Sequence, residues 1–94
     1  MSANLQRLVE IALRDVLDPE MGRSVVDLGL IYAIEATPGG SVAITMTTTT
    51  RGCPLAGFLK EAVAMAAGAV EGVRDVGVTL TYEPAWAPAM IAAE

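Results

Sequence analysis

One cysteine, three carboxylates and a run of threonines are the side chains of this sequence best suited to chemistry. Cys53 stands in Gly52-Cys53-Pro54, directly after Thr47, Thr48, Thr49, Thr50 and Arg51. Apolar residues at helical spacing follow over 55–70, so the thiol is expected where a helix begins. Proline is favoured at the first helical position because its missing N–H would be unpaired there anyway. On this reading Cys53 is the N-cap, with its sulfur beside free backbone N–H groups and the positive end of the helix dipole. Such a site favours the thiolate, the form that attacks electrophiles and binds metals. The competing reading is structural, since free cysteine is among the most buried of side chains.

The carboxylates lie upstream. Asp18, Glu20 and Asp27 fall in one loop, which is expected to flank the same sheet as the Cys53 turn and so to converge with it. Asp18 precedes Pro19 and suits ordinary turn formation as well as it suits a site. Glu20 has no local structural task. Asp27 sits among Val25, Val26 and Leu28, where it either bonds loop N–H groups or joins the thiol. A carboxylate beside a cysteine raises the thiol pKa unless both hold one metal. Thr49 and Thr50 lie beyond the last core position, within reach of the sulfur, although β-branched residues also favour strands and half the run would then face solvent. Arg51 is the nearest cation, able to stabilise a thiolate or simply to lie in solvent.

The elements that must position these groups follow from periodicity. Leu5, Leu8, Val9, Ala12, Leu13, Val16 and Leu17 give an amphipathic helix, capped by Ser2 and ending near Leu17 because Asp18 precedes proline. Residues 18–29 are a long connection. Leu30, Tyr32 and Ile34 alternate along one strand and Val42, Ile44 and Met46 along the next, with Thr37-Pro38-Gly39-Gly40 as the turn of an antiparallel hairpin. The second helix turns Leu55, Phe58, Leu59, Ala62, Val63 and Ala66 to the core, and Gly72 suits its stop. Val76, Val78, Leu80 and Tyr82 line a third strand. The tail, residues 83–94, is too rich in proline for a regular element; Trp86 and Met90 are expected to fold back over the core. The result is a single α/β domain over residues 1–94, a two-layer α-β-β-α-β sandwich with a small mixed three-stranded sheet and both helices on one face. The outer face, rich in threonine and small residues, is left for a partner.

Composition narrows the chemistry. Among 94 residues, 53% hydrophobic and 18% charged, the net charge is −5 and histidine is absent. The six basic residues form no stripe that could neutralise phosphates, which argues against nucleic acid. No apolar run approaches a membrane span and no signal pattern is visible. A lone cysteine permits no internal disulfide, which points to a reducing compartment, the cytoplasm. Without histidine, a Cys–His dyad and a His-containing zinc site are excluded within one subunit. One thiol also falls short of the four ligands of an iron–sulfur cluster. A tight metal site must therefore borrow ligands, so transient transfer is expected rather than a permanent cofactor.

In combination these motifs resemble the iron–sulfur assembly domain family that includes SufT, the PaaD protein and the eukaryotic cytosolic iron–sulfur targeting factors. The matching stretches are Asp18-Pro19-Glu20-Met21-Gly22, Val25-Val26-Asp27-Leu28-Gly29-Leu30-Ile31-Tyr32, Met46-Thr47-Thr48-Thr49 with Gly52-Cys53-Pro54, Gly72-Val73, and Glu83-Pro84-Ala85-Trp86-Ala87-Pro88-Ala89-Met90. They run in the family's order over nearly the whole chain. The resemblance implies an iron–sulfur assembly-like fold and a role in maturing or delivering clusters to apo-proteins. It also implies a central Cys53, binding metal transiently or in a shared site, with Asp18, Glu20, Asp27 and Thr49 clustered nearby. Ser24 stands where the family often has asparagine, Arg51 where proline is common, and Ile91-Ala92 where Met-Ser is usual. The sequence ends at Glu94 without the cysteine-bearing extension of PaaD proteins, which favours a SufT-like role, and it holds no Walker-type loop.

Three functions are weighed. The first is a non-enzymatic assembly or targeting adaptor, partnered by the iron–sulfur assembly machinery and apo-protein clients; two subunits could each offer a thiolate, so a homodimer fits. The second is a thiol peroxidase built on Thr50-Arg51-Gly52-Cys53, against which stand the short chain and the missing resolving cysteine. A phosphatase fails because Leu59 occupies the arginine position of Cys-x5-Arg. The third is a pure interaction module docking through the sheet face and the Trp86 tail.

Overall fold

A computed structural model describes residues 2–91, with side chains from Asn4 onward, so the Ser2 cap and the ending at Ala92 and Glu94 lie outside the described side chains. The first helix, α1, spans Ser2–Leu13. Val9 and Leu13 are fully buried on its inner stripe, while Leu8 lies 44% exposed. The helix stops four residues short of the expected Leu17. Its last turn tightens through bonds from the N–H groups of Arg14, Asp15 and Val16 to carbonyls three residues back. Leu17–Asp18 then forms a short strand, β1, antiparallel to Arg23–Ser24, β2. Proline at position 19 holds Asp18 extended, and this ladder uses that conformation. What reads in sequence as one long connection is therefore a small hairpin followed by a loop.

The main sheet runs β3 (Ile31–Ala36), β4 (Ser41–Met46) and β5 (Asp75–Leu80), with β4 in the middle. β3 and β4 are antiparallel across the turn of Thr37, Pro38, Gly39 and Gly40 as expected, and β5 lies parallel to β4, so the sheet is mixed. Parallel pairing requires a crossover, supplied by the second helix, α2, over Ala56–Gly68. Val42, Ile44 and Met46 of β4 bury against Val9, Leu13, Leu59, Val63 and Ala67, so both helices cover one sheet face. Ala33, Ala43, Gly77 and Thr79 remain exposed on the other.

Three further expectations differ from the structure. The strict alternation of Leu30, Tyr32 and Ile34 is broken by a bulge between Ile31 and Ala33: Ile31 pairs with Met46 and Ile34 with Ile44, leaving Tyr32 as the extra residue. In α2, Phe58 is 58% exposed and Ala67 takes a core place. Leu59, Val63 and Ala67 share the inner face at four-residue spacing, and Phe58, one position before Leu59, lies about 100° round the helix. The helix also ends at Gly68, ahead of the expected stop at Gly72. Among the described residues no helix is long and apolar enough to cross a membrane.

Candidate functional site

Cys53 is half-buried and unbridged. It is not the N-cap of α2: Leu55 occupies that position, with no side-chain cap. The carbonyl of Cys53 accepts the Ala56 N–H at 3.1 Å, closing a tight turn one step ahead of the helix. The Pro54 rule placed the helix start two residues too early because proline serves a turn as readily as a first helical position.

The threonine run behaves differently from a continuing strand. β4 ends at Met46, and both Thr47 and Thr48 are buried, Thr49 half-buried and Thr50 exposed. The Thr47 N–H donates to the Leu30 carbonyl at 2.8 Å, bringing the turn against the end of the loop that carries Asp27. The Thr48 hydroxyl donates to the Thr50 carbonyl at 2.7 Å and lies 2.7 Å from the Tyr82 hydroxyl. Since a hydroxyl has one proton to give, Tyr82 is the donor in the second bond. The side-chain bonds of the run come from Thr47 and Thr48, and among the described residues none joins Thr49 to the Cys53 sulfur. Arg51 places its guanidinium carbon 5.1 Å from the centre of the Tyr82 ring, a cation–π arrangement.

The acids separate by role. Asp18 is almost fully buried, and its Oδ1 accepts the N–H groups of Glu20 at 2.8 Å and Met21 at 3.3 Å. Its carboxylate thus holds its own turn. Glu20 is exposed on that turn. Asp27 is half-buried, and the loop N–H groups it was expected to bond are taken otherwise: Val26 donates to the Ser24 hydroxyl, Leu28 to the Ser24 carbonyl and Gly29 to the Val26 carbonyl. Among the described residues no three Cys, Asp or Glu side chains form a group able to hold a metal ion.

The tail completes this end of the molecule and does fold back. Trp86 Nε1 donates to the Leu28 carbonyl at 2.7 Å. The Tyr32 hydroxyl, carried outward by the bulge, donates to the Pro84 carbonyl at 2.8 Å and lies 3.6 Å from the Met90 sulfur. Met90 packs so closely on Gly29 that a Cβ there would overlap its carbonyl oxygen, and the positive φ of 75° at Gly29 already favours glycine. An open groove of about 700 Å³ lies beside the tail, lined by Tyr32, Ala33, Thr45, Thr81, Glu83 and Met90 among others. Cys53 is not part of its lining. Tyr32, Thr48 and Tyr82 were missed as organising residues. The bulge at Tyr32 has no local signal, but Tyr82, in phase with Leu80 just past the strand end, could have been read as reaching the turn.

Comparison with known proteins agrees with this arrangement. Residues 6–80 match the family described as iron–sulfur cluster assembly protein. An Fe–S protein maturation auxiliary factor of Porphyromonas gingivalis is 45% identical over 82 residues, covering 87% of this chain and 78% of that protein. One from Bacillus subtilis is 37% identical over 86 residues, covering 92% and 84%. The crystal structure of a domain of unknown function from Bacillus anthracis superposes with a TM-score of 0.93 at 30% identity, over 97% of this chain and 87% of that one. The family match takes in most of α1, the whole sheet, α2 and the Cys53 turn, and the chain belongs to the iron–sulfur cluster assembly protein family.

Proposed function

We propose that this protein matures or delivers iron–sulfur clusters to apo-proteins, acting as an adaptor rather than an enzyme, with Cys53 as its functional thiol. The observation that carries the proposal is the family match, which spans the Cys53 turn, supported by relatives named as Fe–S maturation auxiliary factors. The cluster or iron is cargo. One half-buried thiol in a chain without histidine supplies one of the four ligands a cluster generally takes, so Cys53 serves as a shared or transient ligand completed by a client, the assembly machinery or a second copy of the chain. Asp27 and Glu20 are available to assist, since neither carboxylate is spent on the loop bonds that occupy Asp18. Thr49 is retained as a supporting group by its place in the same turn. A cytoplasmic location fits a free thiol.

Anaerobic reconstitution with iron and sulfide, followed by visible absorbance, tests the thiol's part. Wild-type protein is expected to develop cluster absorbance that Cys53→Ser lacks, alone or with an added small thiol to complete the ligand set. Equal absorbance in the two proteins would remove Cys53 from the account.

A further inference from the structure

The backbone between Met46 and α2 is poorly supplied with hydrogen bonds of its own. Thr47 bonds Leu30 and Ala56 bonds Cys53, and among the described residues no backbone–backbone bond holds residues 48–52 between them. Side chains hold that segment instead. A relay runs from the Tyr82 hydroxyl to the Thr48 hydroxyl and on to the Thr50 carbonyl, both links at 2.7 Å. Thr48 is 1% exposed, so the middle hydroxyl of the relay is shielded from water, between a half-buried Tyr82 and an exposed Thr50. Arg51, two residues before the cysteine, lies over the ring of the same tyrosine. Tyr82 thus grips the turn at two points, by its hydroxyl and by its ring face.

We propose that Tyr82, acting through Thr48, is a positioning residue for Cys53. It fixes the turn that presents the thiol, and it is itself fixed beyond the end of β5, where the Thr81 N–H donates to the Met46 carbonyl at 2.8 Å. The proposal rests on the reading of Cys53 as the functional thiol, but the relay can be tested without any cluster. The probe is iodoacetamide, with the Cys53 alkylation rate followed by mass spectrometry and amide exchange of residues 48–53 measured in parallel. Tyr82→Phe keeps the ring and removes the donor; Thr48→Val removes the middle hydroxyl at nearly constant volume. Tyr82→Phe is expected to raise the alkylation rate about fivefold, the change in local opening that follows loss of one hydrogen bond, and Thr48→Val, which cuts both links, is expected to raise it further. The double variant should not exceed Thr48→Val, because that substitution already cuts both links of the relay. Thr48→Ser, which restores the hydroxyl, should return the wild-type rate. Protection of α2 amides confirms a native fold, and Thr48→Val carries the test alone should Tyr82→Phe fail to fold. Unchanged rates in both single variants, or additive effects in the double one, would overturn the relay. Those outcomes are distinct from a Cys53→Ser variant that still supports cluster delivery, which would overturn the function and leave the relay standing.

Discussion

The two ends of the central sheet are built by different means. At the end holding the turn of residues 37–40, backbone is pressed against backbone, with side-chain bonds between Thr37 and Ser41 and between Ser41 and Asp75 at the exposed rim. Thr37 and Ser41 close the hairpin turn, and the Arg74 N–H donates to the Gly40 carbonyl at 2.8 Å. A Cβ at Gly40 would lie 2.5 Å from the Gly72 carbonyl oxygen, so two glycine-marked turns are pressed together. At the opposite end, where the loop of residues 27–30, the Cys53 turn and the tail meet, side chains do much of the holding. Trp86 bonds the Leu28 carbonyl, Tyr32 bonds the Pro84 carbonyl, and Tyr82 bonds Thr48. The backbone-locked end relies on glycine and turn chemistry, with small polar side chains added at its exposed rim. The other end depends on particular aromatic residues reaching across the chain, and that is where the thiol sits. A largely backbone-held end and a side-chain-held end are thereby separated within one small domain.

That contrast can be broken most severely at the backbone-locked end. Gly40→Ala places a methyl group against Gly72 at a φ of 96° and should cost about 3 kcal/mol in urea denaturation, with Cys53 alkylation of the folded fraction unchanged. Trp86→Phe leaves the Leu28 carbonyl without its 2.7 Å donor and is expected to cost about 2 kcal/mol, with faster amide exchange confined to the tail and the adjoining loop. Tyr82→Phe should cost only about 1 kcal/mol globally, yet it alone of these three should speed alkylation of Cys53. The smallest effect is expected at a solvent-exposed ion pair. The exposed pair between Arg14 and Glu10, 3.6 Å apart and one helical turn along α1, should lose about 0.3 kcal/mol or less in Arg14→Ala, measured by thermal denaturation. A reversal of this order between Gly40→Ala and Tyr82→Phe would contradict the division of labour.

The sequence reveals the parts that local pattern controls. The β3–β4 hairpin follows from two alternating runs flanking Pro38-Gly39-Gly40, and the core stripes of α1 and α2 follow from periodicity, with Val9, Leu13, Leu59 and Val63 placed correctly. What escaped was set by partners far away in the chain. The bulge at Tyr32 makes sense only once Pro84 and Met90 lie beside it, and burial of Thr48 only once Tyr82 does. Neither partner lies within 30 residues, so no window of local pattern contains both members. The Cys53 cap failed for a subtler reason. Gly-Cys-Pro fits a helix start and a preceding turn equally well, and the tertiary setting chose the turn. The site residues divide in the same way: the proposal for Cys53 rests on its chemistry and its motif, whereas the self-capping of Asp18 needed the turn geometry.

If this domain serves iron–sulfur maturation through Cys53, losing the thiol must reach the enzymes that depend on clusters. The direct measurement is the activity of iron–sulfur enzymes in cells whose own copy of the gene is replaced by Cys53→Ser, with protein level and melting temperature held as controls. Service through Cys53 predicts a folded, normally abundant variant and reduced activity of the cluster-dependent enzymes, with cluster-free enzymes unaffected. Full activity at normal abundance would contradict it.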